Sequence, residues 1–309
     1  MMLRGVILCL LIALCLLVAL AAGEQWINPF DAGGQDAVIL WDLRLPRLLI
    51  AFAVGGLLAL AGAWFQVLLG NPLAEPYVLG VAGSASVGAV TGLMFVPESA
   101  WVMSVGAFIG AWIGITVVMI FARLGPGRML LAGVVLAAFW AALLALLLAL
   151  LPEQGLYRAF SWMMGDLSHS DIPVPFLLAA WGVAVMCGMM LSRSLDLLLL
   201  GERHAEALGV EVKQLRQRLL LLASVVTAIA VTAAGTIGFV GLVVPHLMRM
   251  LFGSLHKAVL PASAIGGGLL LMLADTAART VIAPSELPVG VLTAIIGVPV
   301  FLFLLVRRT

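Results

Sequence analysis

The residues that could carry chemistry in this 309-residue chain are few, since only 10% of them are charged. Neither of its two lysines, Lys213 and Lys257, closes the Gly-x-x-x-x-Gly-Lys-Ser/Thr loop that cradles the phosphates of ATP. Three cysteines, Cys9, Cys15 and Cys187, lie in apolar stretches without the spacing of a metal site or of a disulfide framework. We therefore expect this chain to bind no metal and no cofactor, and not to hydrolyse ATP itself.

The composition excludes a soluble enzyme. Hydrophobic residues make up 64% of the chain, whereas a soluble domain has about 45–50%. Because one helical span takes roughly 20 apolar residues, the chain has room for roughly ten spans and little for an aqueous domain. No basic stripe or basic domain is present, so nucleic acid is not an expected partner.

The apolar segments predict an all-α, polytopic membrane protein of about ten transmembrane helices, folded as one domain over residues 1–309. The first segment could instead be a cleaved secretory signal, but nine further apolar stretches favour a first span. The piece 155–165 is short, which is typical of an interfacial or re-entrant helix. The predicted spans are 5–22, 47–68, 78–96, 100–122, 129–151, 174–192, 217–235, 238–253, 258–278 and 288–306.

Basic residues predict the orientation of these spans. Ten spans place both termini on one side, and that side collects twelve of the sixteen Lys and Arg residues. Because cytoplasmic loops carry the excess of basic residues in membrane proteins, both termini are expected in the cytoplasm. The other side keeps Arg44, Arg47, Arg158 and Arg279.

No predicted span carries an acidic or basic residue near its middle, where ion-coupled carriers keep a buried titratable site. This disfavours the alternative of an ion-coupled secondary transporter. A non-transport structural bundle is a third possibility. If the bundle transports a solute, its energy must come from a partner chain.

The longest cytoplasmic loop, residues 193–218, is where such a partner could dock. Within it, Glu202 and Glu206 lie one helical turn apart, Ala205 and Leu208 mark an apolar side, and Gly209 can end the turn. The spacing is equally compatible with a docking helix and with a helix lying at the lipid interface.

A series of motifs, spread from residue 43 to residue 290, resembles the FecCD-type permease subunits of ATP-binding-cassette (ABC) importers for cobalamin, haem and ferric siderophores. Single motifs are weak, but the ordered set is highly specific. The motifs are 43–47 (LRLPR), 71–76 (NPLAEP) followed by 79–81 (LGV), 130–133 (LLAG), 162–165 (WMMG), 208–210 (LGV), 238–246 (GFVGLVVPH), 273–275 (LAD) and 286–290 (ELPVG).

The resemblance implies a type II ABC importer permease in a bacterial cytoplasmic (inner) membrane, working by alternating access. It also implies a second copy of the permease, two ATPase subunits that hold ATP and magnesium, and an extracytoplasmic solute-binding protein. The cargo would be a metal-chelate compound, with ferric siderophore, haem and cobalamin all open.

Three arginines, Arg44, Arg47 and Arg279, match family positions that pair with carboxylates on the solute-binding protein. Guanidinium groups suit this role because they bind carboxylates in a bidentate manner. Anchoring of helix ends at lipid headgroups is the commoner role for arginines at a span boundary. Their occurrence on the side that is poor in basic residues favours docking.

The resemblance also implies gates and a coupling segment on the cytoplasmic side. The gate candidates are Asn71, Leu73, Pro126 and Gly127, although Pro126 and Gly127 stand where the family's cobalamin permease has small hydroxyl residues. For that pair, plain turn chemistry is the preferred interpretation. The expected ATPase-coupling residues are Glu202, Arg203, His204, Ala205, Glu206, Ala207, Leu208, Gly209 and Val210.

Overall fold

A computed structural model describes residues 2–23, 25–96, 101–122, 126–168, 170–283 and 285–306, and in these ranges all regular structure is helical. The predicted all-α class is confirmed. A π-helix, Ile39–Arg44, joins α2 to α3, and a 3₁₀-helix, Pro76–Leu79, precedes α4. The α-helices are α1 (Met2–Ala21), α2 (Gln35–Val38), α3 (Leu45–Leu68), α4 (Val81–Phe95), α5 (Val102–Ala122), α6 (Pro126–Leu150), α7 (Glu153–Met163), α8 (Val174–Leu199), α9 (Glu202–Ala207), α10 (Val212–Ala234), α11 (Val240–Phe252), α12 (His256–Thr280) and α13 (Val289–Val306).

The helices match the ten predicted spans. Among the described residues, six segments are long and apolar enough to cross a membrane: Gln35–Leu68, α5, α6, α8, α10 and α12. Shorter apolar helices are α1, α4, α11 and α13. The predicted end of the sixth span, residue 192, was wrong for the helix, since α8 continues to Leu199. Charged residues such as Arg193 and Asp196 end an apolar run, but they do not prevent the helix from continuing.

The helix α3 forms the centre of the bundle and contacts α8, α10, α11 and α12. Its sequence is apolar on every side, which is typical of a helix buried within a protein. The most apolar part of Gln35–Leu68 is 89% buried, whereas the corresponding part of α6 is only 6% buried. Gln35–Leu68 therefore belongs to the core of the bundle, and α6 lies at its periphery. Trp64 and Phe65 on α3 are fully buried.

Glycine allows α3 and α12 to approach closely. A Cβ atom added at Gly55 would lie 2.2 Å from the carbonyl oxygen of Gly267, and one at Gly267 would lie 2.3 Å from that of Gly55. The same relation joins α3 to α11, since a Cβ at Gly62 would lie 1.9 Å from the oxygen of Gly241. Between helices in lipid, where no hydrophobic drive favours association, such backbone contact provides the packing attraction.

The connection between α10 and α11, residues 235–239, is a tight junction between the predicted spans 217–235 and 238–253. Phe239 has a φ of 68° and is the one non-glycine residue in the described part of the chain with positive φ. Around this junction, Asp166 N donates to Ala234 O at 3.0 Å, and Gly290 N donates to Met164 O at 3.1 Å. The segment after α7 and the start of α13 are thereby fixed to the break between α10 and α11.

Replacing Gly267 by Ala is expected to lower the free energy of unfolding by about 1–3 kcal/mol, because the added methyl group overpacks a backbone contact. The measurement is denaturant unfolding in mixed micelles. Gly182→Ala in α8 is the matched control, since a Cβ atom at Gly182 would have no atom within 4 Å. Equal stability of the two variants would contradict the close-packing account.

Candidate functional site

A fully buried carboxylate organises the ends of α3 and α12. Asp275 accepts hydrogen bonds from Arg47 Nε, at 3.0 Å to Oδ1 and 3.1 Å to Oδ2, and from Arg47 Nη2 at 2.8 Å. It also accepts from Arg279 Nε at 3.1 Å, one helical turn further along α12. Two arginines thus share one buried acid. For the buried Arg279, Asp275 is the counterion that offsets the removal of its charge from water.

A second acid, Glu286, completes this cluster from the connection between α12 and α13. Arg47 Nη1 donates to its two carboxylate oxygens at 2.9 and 3.2 Å, and Ser168 Oγ donates at 3.3 Å. The side chain of Glu286 is 50% exposed, whereas that of Asp275 is 0% exposed. We call Arg47, Asp275, Arg279 and Glu286 the arginine cluster.

Arg44 has a different role from the two other predicted docking arginines. Its Nη1 donates to the carbonyl oxygens of Leu20 at 3.0 Å and Ala21 at 2.8 Å, and its Nη2 donates to Gln25 O at 2.8 Å. Because α1 ends at Ala21, this guanidinium supplies donors to carbonyl groups at the helix end, where Ala21 O also accepts from Ile27 N at 3.1 Å. Arg44 is 7% exposed and therefore acts first as a cap for α1.

The three arginines nevertheless line one cavity of about 620 Å³, together with Glu286 and Asp36. Arg279 is only 8% exposed, and its Nη2 has no hydrogen-bond partner among the residues that the structure describes. The sequence prediction therefore grouped residues that do lie together. It missed both acids that pair with them. The Asp275 and Arg279 spacing of i, i+4 was visible, but the contact with Arg47 was not.

The first predicted gate segment is a turn that is stabilised by hydrogen bonds between its own residues. Asn71 Oδ1 accepts from Leu73 N at 2.9 Å, and Ala74 N donates to Asn71 O at 3.1 Å. Gly70 before it has a φ of 58°, which favours glycine. Leu73 is 44% exposed at the tip of this turn. An exposed leucine on a rigid turn is a suitable obstacle for a gate, although the gating role stays a prediction.

The second predicted gate pair lies at the start of α6. Pro126 is the first helical residue, where its missing N–H costs nothing, although its side chain lies outside the described residues. Gly127 is exposed, and a Cβ atom added there would have no atom within 4 Å. No contact in the described part of the chain requires glycine at this position.

The 69–80 connection is fastened to the break between α10 and α11 by two polar side chains. Glu75 Oε1 accepts from Phe239 N at 2.5 Å. The hydroxyl of Tyr77 accepts from Ile237 N and donates to Ile237 O, both at 2.9 Å. Burial raises the pKa of Glu75, against the lowering effect of the Phe239 N–H. Burial likewise raises the pKa of Tyr77.

The predicted coupling segment is a separate short helix, α9, set between α8 and α10. Glu202, Arg203, His204, Glu206 and Ala207 are exposed. Arg216 of α10 forms an ion pair with Glu202 at the start of α9.

The predicted apolar side of α9 was wrong in one respect. Ala205 is 0% exposed, but Leu208 is 63% exposed. The reason is that the helix ends at Ala207, so Leu208 no longer follows the helical repeat. The segment closes with Val210 N donating to Ala205 O at 2.9 Å. Gly209 has a φ of 85°, in agreement with its predicted role in ending the turn.

A contact between a histidine and an acid joins α8 to α12. This pairing was not predicted from the sequence. Asp196 Oδ1 accepts from His256 N at 3.0 Å and lies 2.6 Å from His256 Nδ1. The carboxylate thus caps the first residue of α12 from a neighbouring helix. Asp196 lies on α8 six residues before α9, so this contact holds the part of α8 that leads into α9 against α12.

The described residues contain no group of three or more His, Cys, Asp or Glu that could hold a metal ion.

Comparison with known proteins identifies the relatives of this chain. The model of the FecCD transport family matches residues 6–307. The vitamin B12 import system permease protein BtuC of Vibrio cholerae is 40% identical over 306 residues, covering 97% of this chain and 92% of the relative. The hemin transport system permease protein HmuU of Yersinia pestis is 40% identical over 315 residues, covering 96% and 94%.

Solved structures show the same architecture. A metal-chelate type ABC transporter in an inward-facing conformation superposes with a TM-score of 0.88 at 30% identity, over 97% of each chain. PsaBC from Streptococcus pneumoniae, in complex with Fab, superposes with a TM-score of 0.62 at 16% identity, over 87% of this chain and 93% of the other, and shares the fold. The chain thus has the predicted type II ABC importer permease fold.

Replacing Arg44 by Met is expected to lower the free energy of unfolding by about 1.5–3 kcal/mol, because the end of α1 loses its charged donors. The free energy is measured for the isolated permease by denaturant unfolding in mixed micelles. Arg203→Met, at an exposed position of α9, removes the same charge without uncapping a helix and serves as the control. If both variants unfold alike, Arg44 is not a structural cap.

Proposed function

Because the chain belongs to the FecCD transport family, we propose that it is the transmembrane permease subunit of an ABC importer that moves a metal-chelate compound into the cytoplasm. It is a multi-pass membrane protein whose curated relatives are permease proteins of a vitamin B12 import system and of a hemin transport system. The observation that carries the proposal is the exposed helix α9, fixed to the bundle by α8 and α10, in a chain with no ATP-binding loop of its own.

ATP hydrolysis then takes place in two partner ATPase subunits, which hold ATP and magnesium, while this chain binds no cofactor. The exposed side of α9, from Glu202 to Leu208, docks on the ATPase. Movement of α9 reaches the bundle through Asp196, which caps α12, and through Arg216 of α10. Because of these contacts, a displacement of α9 also displaces the long helices to which it is attached.

The orientation follows from the basic residues. With α9 and both termini in the bacterial cytoplasm, the arginine cluster lies on the extracytoplasmic side, at the opposite end of α12 from Asp196. Arg44, Arg47 and Arg279 line the cavity that faces the solute-binding protein. Arg47 and Arg279 are the donors suited to its carboxylates, and Arg44 shapes the cavity by holding α1.

Alternating access needs a second copy of the permease, so that the path for a large cargo runs between two bundles. Asn71 and Leu73 stand at the cytoplasmic end of α3 and form one gate. The connection that carries them is fastened to α11 by Glu75. A shift of α11 is thus transmitted to this gate turn. Pro126 and Gly127, the other gate candidates, start α6, and turn chemistry stays the preferred interpretation of this pair.

We expect uptake in proteoliposomes that contain the permease, its ATPase and its solute-binding protein to require ATP and to be blocked by vanadate. Candidate cargoes are cobalamin, hemin and a ferric siderophore, each with the binding protein that it stabilises against heat. Protonophores and sodium ionophores serve as controls and should leave uptake unchanged. Gradient-driven uptake without the ATPase would contradict the proposal and favour an ion-coupled secondary transporter.

A cysteine placed at Ala207 is expected to form a disulfide with a cysteine in the docking cleft of the ATPase, whereas one at Ala205 should not. The reason is that Ala207 is exposed and Ala205 is fully buried. The background variant carries Ser at positions 9, 15 and 187, and products are read on non-reducing gels. Cross-linking through Ala205→Cys alone would place the ATPase on the wrong side of α9.

A further inference from the structure

The two acids of the arginine cluster differ in how firmly they are held. Asp275 is fully buried within α12 and accepts four hydrogen bonds from two arginines. If it left, Arg279, whose side chain is 8% exposed, and Arg47, whose side chain is 15% exposed, would both lose their shared counterion. Asp275 is therefore a permanent counterion of Arg47 and Arg279.

Glu286 has the opposite character. It belongs to the short connection between α12 and α13, its side chain is half exposed, and it reaches the cluster through one guanidinium edge of Arg47 and the hydroxyl of Ser168. This ion pair contributes little net stability, because water solvates the half-exposed Glu286 when the two separate and Asp275 still pairs with Arg47. Glu286 can therefore leave Arg47 at small cost.

The guanidinium groups around the cavity differ in how far their N–H donors are already used in hydrogen bonds. Arg44 is taken up by the carbonyl groups of Leu20, Ala21 and Gln25. Arg279 donates its Nε to Asp275, but its buried Nη2 has no acceptor among the described residues. A carboxylate that replaced Glu286 on Arg47 could also approach Arg279, since both arginines line the cavity and share Asp275.

We infer that Glu286 is an internal substitute for the docking carboxylate: it covers Arg47 while the permease is undocked, and an acidic side chain of the solute-binding protein displaces it. This inference rests on the proposed function. Exchange of one carboxylate for another keeps Arg47 paired at every stage. Partners without a suitably placed acid cannot displace Glu286, so the exchange adds specificity at the expense of affinity.

The exchange also explains how docking can be both selective and reversible. The incoming acid gains the contact with Arg47 and an approach to Arg279, but it must first break the bonds from Arg47 to Glu286. Only the difference between these interactions appears as affinity. When the binding protein leaves, Glu286 returns to Arg47, which shortens the time for which the two proteins stay together.

The test uses the complete permease and ATPase complex in phosphatidylcholine nanodiscs with its cognate binding protein. Glu286→Gln is expected to lower the Kd for docking about two- to fivefold, the range that one half-exposed ion pair supports. Glu153→Gln, at an exposed site of α7, makes the same charge change away from the cluster and should leave the Kd within twofold of the wild type. Unfolding midpoints establish that both variants are folded.

The possible results separate the inference from the function on which it rests. If the wild-type complex docks but Glu286→Gln docks equally or more weakly, the substitution of Glu286 for the docking acid is refuted and the importer function stands. An equal gain in Glu153→Gln would reveal a general charge effect and also refute it. If Glu286→Gln lowers the Kd for docking only when phosphatidylglycerol is added, a lipid phosphate takes the place of Glu286 on Arg47, and the inference is refuted. Absence of docking by the wild-type complex would overturn both proposals.

Discussion

The close contact between α3 and α12 is the constraint on which the rest of the bundle depends. Lipid is as apolar as the helices themselves, so their association must come from packing and from polar contacts between helices. The backbones of Gly55 and Gly267 meet so closely that neither position has space for a Cβ atom. This contact brings α12 onto the central helix and sets the positions of both its ends.

Each end of α12 carries a buried polar contact that a different helix completes. At one end Asp196 of α8 caps His256, and at the other end Arg47 of α3 pairs with Asp275. The first contact lies six residues before α9, and the second lies in the cavity of the arginine cluster. In the proposed importer, α12 therefore connects the ATPase side to the side of the solute-binding protein. Groups buried in this way have few alternative partners, so they resist rearrangement.

The breaks in the helices are as informative as the helices. The junction between α10 and α11 brings together Glu75, Tyr77 and the backbone of Ile237 and Phe239. Backbone polar groups outside helices need hydrogen-bond partners where they are buried. The polar side chains of the 69–80 connection provide them here. The same contacts tie the turn of Asn71 and Leu73 to α11.

The sequence by itself determined the solvent of this protein, the number of apolar helices and the family. These features depend on local composition and on motifs that lie within short stretches, so they can be inferred without the tertiary structure. The sequence also located α9, but it put Leu208 on the wrong side because the end of the helix was not visible. Only the tertiary structure decided what the charged residues do. Arg47 and Asp275 are 228 positions apart, and their pairing follows from the approach of α3 to α12. The same holds for Arg44, which looked equivalent to Arg47 in the sequence and caps α1 in the fold. A charge acquires its role from the groups that burial places around it, and helix packing makes that selection.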